Sequence, residues 1–69
     1  MSYYDYAELK KAVEAQPTAE NINALGEWFS DYGMDYWNGE YYDAGSFRVY
    51  PVFEEIEEDE FELKGYEIR

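Results

Sequence analysis

The sequence predicts an α+β domain, two antiparallel N-terminal helices packed on a small C-terminal antiparallel sheet. Three observations carry that expectation. Apolar residues recur with helical spacing up to Tyr32 and then change to strand-like patterning. Pro17 and Gly33 punctuate the chain where one element should give way to the next. Asn38-Gly39 follows, the strongest short hairpin signal because both residues tolerate positive φ. The 69 residues suffice for a single domain, 1–69, with the helical part about 3–32 and the β part about 35–69.

The first helix is expected over residues 3–15. Tyr6, Leu9 and Val13 share one face, with Ala12 beside them. Asp5 and Glu8 have capping-box spacing, and Ser2 is the other candidate cap. Gln16 precedes Pro17, a position that disfavours the α region, so the helix should end there. Thr18 caps a second helix with Glu20 in its first turn. Its stripe is Ile22, Leu25, Phe29 and Tyr32, and Gly33 stands where a C′ glycine belongs. Gly26 in mid-helix costs about 1 kcal/mol relative to Ala and so marks close approach of another element.

Beyond Gly33 a meander of two to four strands is expected. DAGS at 43–46 is a second turn. Residues 47–56 are rich in strand formers, with Phe47, Val49 and Phe53 on one face; Pro51 requires an edge or a bulge. In residues 60–69 the pairs Phe61/Leu63 and Tyr66/Ile68 differ in parity, and a bulge at Gly65 would bring both to the core. The core should therefore join Ile22, Leu25 and Phe29 to Leu9 and Val13 on one side and to Phe53, Leu63 and Ile68 on the other.

Composition restricts the chemistry. Seventeen acids face five bases, giving net charge −12, with neither cysteine nor histidine. Disulfides and thiolate metal sites are excluded, as are histidine- and cysteine-based nucleophile–base pairs. No glycine loop cradles a phosphate, no serine sits in a nucleophile elbow, and no catalytic residue or cofactor is expected. Net charge alone suggests disorder, but aromatics make up 22% of the chain, and buried rings supply a core. No stretch approaches the roughly 18 apolar residues of a membrane span, the N-terminus lacks a signal-peptide pattern, and a cysteine-free chain fits a reducing cytoplasm.

The acids concentrate. Residues 34–69 carry eleven acids and three bases, and EEIEEDEFE, residues 54–62, is acidic at seven of nine positions. Three uses are open for the run Glu54, Glu55, Glu57, Glu58, Asp59, Glu60 and Glu62. It can be a solvated hairpin whose charges guard an edge, with Ile56 and Phe61 packed across the strand ends. It can imitate DNA phosphates: duplex carries one charge per roughly 1.7 Å, so the net charge matches about 20 Å of backbone. Or it can hold Ca²⁺, for which no EF-hand spacing is present. The ring-rich stretch 27–42 offers a second surface, in which Trp28, Trp37, Tyr41 and Tyr42 exceed what a small core should bury and suit a protein interface. Direct nucleic-acid binding by stacking would need a basic groove that the composition does not supply.

The strings DYWNGEYYDAG, FRVYPVFEEI and EFELKGYEIR, in the C-terminal half, resemble small acidic proteins of unknown function carried by bacterial phages and conjugative elements. The likeness rests on Trp37-Asn38-Gly39-Glu40 and on the YPVFEE to LKGYEIR hairpin, none of it catalytic, so no functional residue carries over. The setting it implies is a mobile genetic element, where small acidic proteins often resemble DNA mimics that blunt defence nucleases. The leading expectation is a non-enzymatic acidic protein, a monomer or weak dimer, that binds a basic protein surface as a DNA mimic would. The alternative is an interaction or adaptor module that uses its Trp/Tyr surface, with acidity serving solubility.

Overall fold

A computed structural model describes residues 5–69. The expected α+β arrangement is present: α1 (Tyr6–Ala15), α2 (Ala19–Tyr32), a 3₁₀ turn (Met34–Tyr36), then β1 (Tyr42–Asp43), β2 (Arg48–Glu57) and β3 (Glu60–Ile68). The strands form one antiparallel sheet in the order β1-β2-β3. The sequence-predicted helix positions 3 and 4 and the candidate cap Ser2 lie outside the described residues.

Both helices start where local chemistry directs. The Asp5 carboxylate accepts the Glu8 amide at 2.9 Å, and the Thr18 hydroxyl accepts the Asn21 amide at 3.2 Å. The Asn21 side chain also reaches back across the Pro17 link and donates to the Gln16 carbonyl at 2.9 Å, closing the C-terminal end of α1. Gly33 ends α2 at φ −105°, not in the left-handed conformation of a C′ glycine. Its need for glycine is steric, because a Cβ there would meet Phe29 Cδ1 at 2.6 Å. The Asn38-Gly39 turn is a four-residue loop, not a two-residue hairpin. Its ends are the Trp37–Tyr42 bridge, and Asn38 Oδ1 accepts the amides of Glu40 and Tyr41. The 43–46 turn forms as expected, with Gly45 at φ +89° and its amide donated to Asp43.

The core comprises Leu9 and Val13 of α1, Ile22, Leu25 and Phe29 of α2, and Tyr42, Ala44 and Val49 beneath them. Tyr66 and Ile68 pack against it half-buried. Gly26 is the contact point between α2 and β3: a Cβ there would collide with the Tyr66 ring.

Several expected core members lie elsewhere. Phe53 is 59% exposed, Leu63 43% and Tyr32 74%. Element length explains the two strand residues. Ten residues of β2 span about 33 Å, whereas fourteen residues of α2 span about 21 Å, so the helices cannot cover the whole sheet. Tyr32 falls in the last helical turn, where its ring meets only the edge of the aromatic cluster, 6.2 Å from Trp28.

Pro51 occupies a permitted place. Arg48 and Arg69 exchange both backbone hydrogen bonds, so by alternation the Pro51 nitrogen points away from β3. It points toward β1, which ends too early to reach it. On the opposite edge the Tyr66 amide points outward by the same alternation, and Asn23 Oδ1 of α2 accepts it at 3.0 Å. The sheet edge is thereby capped by a helix side chain.

Candidate protein-binding site on a projecting hairpin

Every residue from Val52 to Lys64 is exposed. These thirteen residues are the outer ends of β2 and β3, and they include the whole acid run. Strand register decides which way each side chain points, because directly paired residues share a face. Val52 pairs with Gly65 and Phe53 with Leu63, which leaves Lys64 as an extra residue on β3. This is the bulge anticipated at Gly65, displaced by one residue, and it does realign Phe61 and Leu63 with the face of Tyr66 and Ile68. That face has simply run beyond the helices. A second irregularity, between Glu55 and Glu57, leaves Ile56 without a partner. Ile56 is therefore an exposed bulge residue and does not pack across to Phe61, whose partner is Glu55.

The hairpin is two-sided as a result. Its outer face, away from the helices, carries Glu54 opposite Glu62 and Glu57 opposite Glu60. Like charges placed directly across a ladder destabilise it. The one base in the segment, Lys64, relieves part of this through an ion pair with Glu54 at 2.8 Å. The inner face, continuous with the core, carries Phe53, Leu63 and Phe61, together with Glu55. Phe53 and Phe61 line one shallow hollow, and Leu63 shares another with Asn23 and Glu27 of α2. Glu58 and Asp59 form the tip, where Asp59 adopts φ +68°, a left-handed conformation that Asp tolerates better than most residues. Among the described residues no group of three or more acids converges as a metal cage would require.

The expected aromatic surface divides. Tyr42 is buried, stacked on Phe29 at 4.9 Å with Trp37 against it at 4.8 Å. Trp28 is half-buried between Phe29 and Tyr6, and the 3₁₀ turn, which the sequence pattern does not announce, brings Tyr36 onto Tyr6 at 4.9 Å. Tyr41 lies on the outer face against Tyr50, with Arg48 over its ring at 4.8 Å and Arg69 over Tyr50 at 4.2 Å. Arg69 is further paired with Glu67. Two of the five bases are thus spent on tyrosine rings at the near end of the sheet, leaving the far end almost uniformly acidic.

Fold and surface together define a small acidic α+β domain with a projecting two-sided hairpin. No protein-family model, curated protein or solved structure matches the chain. Among the described residues no helix is long and apolar enough to cross a membrane.

Proposed function

We propose that this chain is a non-enzymatic binding protein whose acidic hairpin engages a basic protein surface, as a mimic of DNA phosphates would. The observation that carries the reading is the cross-strand apposition of Glu54 with Glu62 and of Glu57 with Glu60 on one exposed face. A hairpin built only to stay folded would place bases opposite acids. Local conflicts of this kind concentrate at functional sites. On β3 the outer-face acids Glu60 and Glu62 are alternate residues, about 6.6–6.8 Å apart, and on β2 Glu54 and Glu57 face them from either side of the Ile56 bulge, so each strand carries two carboxylates on this face. The setting in which the protein acts is a reducing cytoplasm, consistent with the absence of cysteine. The half-buried positions of Trp28 and Trp37 and the burial of Tyr42 favour this hairpin over an aromatic interface.

The test is displacement. A basic protein captured on the immobilised chain at low salt is challenged with duplex DNA. Release by duplex, together with loss of binding as salt rises, supports phosphate mimicry, because exposed charges are screened beyond about 8–10 Å at physiological ionic strength. Retention of the partner in excess duplex rejects it.

A further inference from the structure

The inner face of the hairpin poses a separate problem. Phe53 and Phe61 are 59% and 63% exposed, and Leu63 beside them is 43% exposed. Solvated acids on the outer face do nothing to cover them. An apolar strip rimmed by polar groups marks a contact surface.

We propose that this strip seats an amphipathic helix of a basic partner, its apolar stripe on Phe53, Phe61 and Leu63 and its cationic flanks against Glu27 and Glu55. The proposal rests on the reading that the hairpin binds a basic protein, and it names the element that binds. Charge selects the partner's sign. Carboxylates stand at both ends of the strip: Glu27 shares the hollow of Leu63, where the one base, Lys64, is already paired with Glu54, and Glu55 is paired with Phe61. Charge also argues against a second copy of this chain, since a net charge of −12 would be brought against another −12 around these acids.

Geometry selects a helix. The same sheet face is already covered by helices over Val49, Ile68 and Tyr66. Beyond them the six residues Val52–Glu57 extend about 20 Å, and a helix with its side chains is about 10–12 Å across. One further helix would continue the helical layer along the hairpin. An added strand would pair at an edge and leave Phe53 and Phe61 in water. On the β3 side its pairing is already blocked where Asn23 takes the Tyr66 amide.

The probe is an 18-residue Leu/Lys peptide with a single leucine stripe, compared by fluorescence anisotropy with a scrambled peptide of the same composition and with polylysine. The stripe peptide is expected to bind at least ten-fold more tightly than the scrambled one. Phe53→Ser/Phe61→Ser, checked for an unchanged circular dichroism spectrum, should erase that preference while polylysine binding persists, and Leu63→Ser provides a second variant if the double one misfolds. Equal binding of the striped and scrambled peptides, or a preference that survives these substitutions, overturns the helix seat. Polylysine binding retained in that case leaves the acidic reading standing, whereas failure of the protein to bind polylysine removes both. A dimer in sedimentation that Phe53→Ser/Phe61→Ser dissolves would assign the strip to a second copy and also overturn the proposal.

Discussion

Gly26 of α2 lies directly against the ring of Tyr66 of β3, so closely that a Cβ at residue 26 would collide with it. Two opposing effects meet at this position. Alanine is a better helix former than glycine by about 1 kcal/mol, but overpacking a tight contact costs about 1–3 kcal/mol. The bulky, backbone-anchored ring should decide the sign. Gly26→Ala is expected to lower the melting temperature, and a rise would show that β3 can shift away from α2 at little cost.

The division between core and projecting hairpin can be measured with two leucines. Leu25 is fully buried, and Leu25→Ala should cost about 2–5 kcal/mol. Leu63, on the exposed strip, faces Phe53 across the strands and borders α2 only at the open hollow it shares with Asn23 and Glu27, and Leu63→Ala should cost less than about 1 kcal/mol. Comparable losses in chemical denaturation would place Leu63 in the core and contradict the register described above.

These leucines also indicate what was legible in the sequence. Local signals were read directly: the Asp5 and Thr18 caps, the stop before Pro17 and the close approach at Gly26 each depend on a few neighbouring residues. Burial on the sheet was not, because the alternation of Phe61 and Leu63 is the same whether helices lie above the strands or end before them. That outcome depends on the relative lengths of β2 and α2. The separation of the hairpin into an acidic and an apolar face depends on two register shifts, of which only the one near Gly65 has a sequence signal, the change of parity. Ile56 carries no such mark, and Ala44, a turn residue, is buried in the core through tertiary placement of its turn, which Ser46 ties to α1 by donating its hydroxyl to Glu14 at 2.7 Å.

Asn23 guards the edge of β3 through its bond to the Tyr66 amide. Asn23→Ala should cost about 0.5–1.5 kcal/mol and expose that amide to solvent. Hydrogen exchange at Tyr66 should then accelerate, while Asn23→Asp, which keeps an acceptor oxygen, should preserve protection. Unchanged exchange in the alanine variant would mean that the amide is held by another group.

Alkaline pH acts on the buried Tyr42 and the half-buried Tyr6 and Tyr66. Burial raises the hydroxyls of Tyr6, Tyr42 and Tyr66 above the usual value of 10.0, with nearby Tyr36 and acids adding to the effect at Tyr6. A raised value means that the folded state holds these protons more tightly than the unfolded state. Their contribution is therefore fully present below about pH 10 and is lost as pH climbs through the folded values. The melting temperature should fall above about pH 10 as tyrosinate absorbance appears, and Tyr66→Phe should blunt the fall. A melting temperature that holds through tyrosinate formation would show that the hydroxyls ionise without leaving their sites.

We propose that the acidic hairpin is kept for binding at the expense of stability. Glu57→Gln/Glu60→Gln/Glu62→Gln tests it most directly, because it removes the outer-face repulsion while sparing the Glu54–Lys64 ion pair. Thermal melting and affinity for a captured basic partner are measured on the same preparation at low salt. The melting temperature is expected to rise by a few degrees, since about 1 kcal/mol is worth roughly 4–8 °C in a domain of this size, and affinity to fall several-fold or more. A variant that binds its partner as tightly as the parent, whatever its stability, would rule out a binding role for these acids and leave them as a solvated guard on an exposed edge.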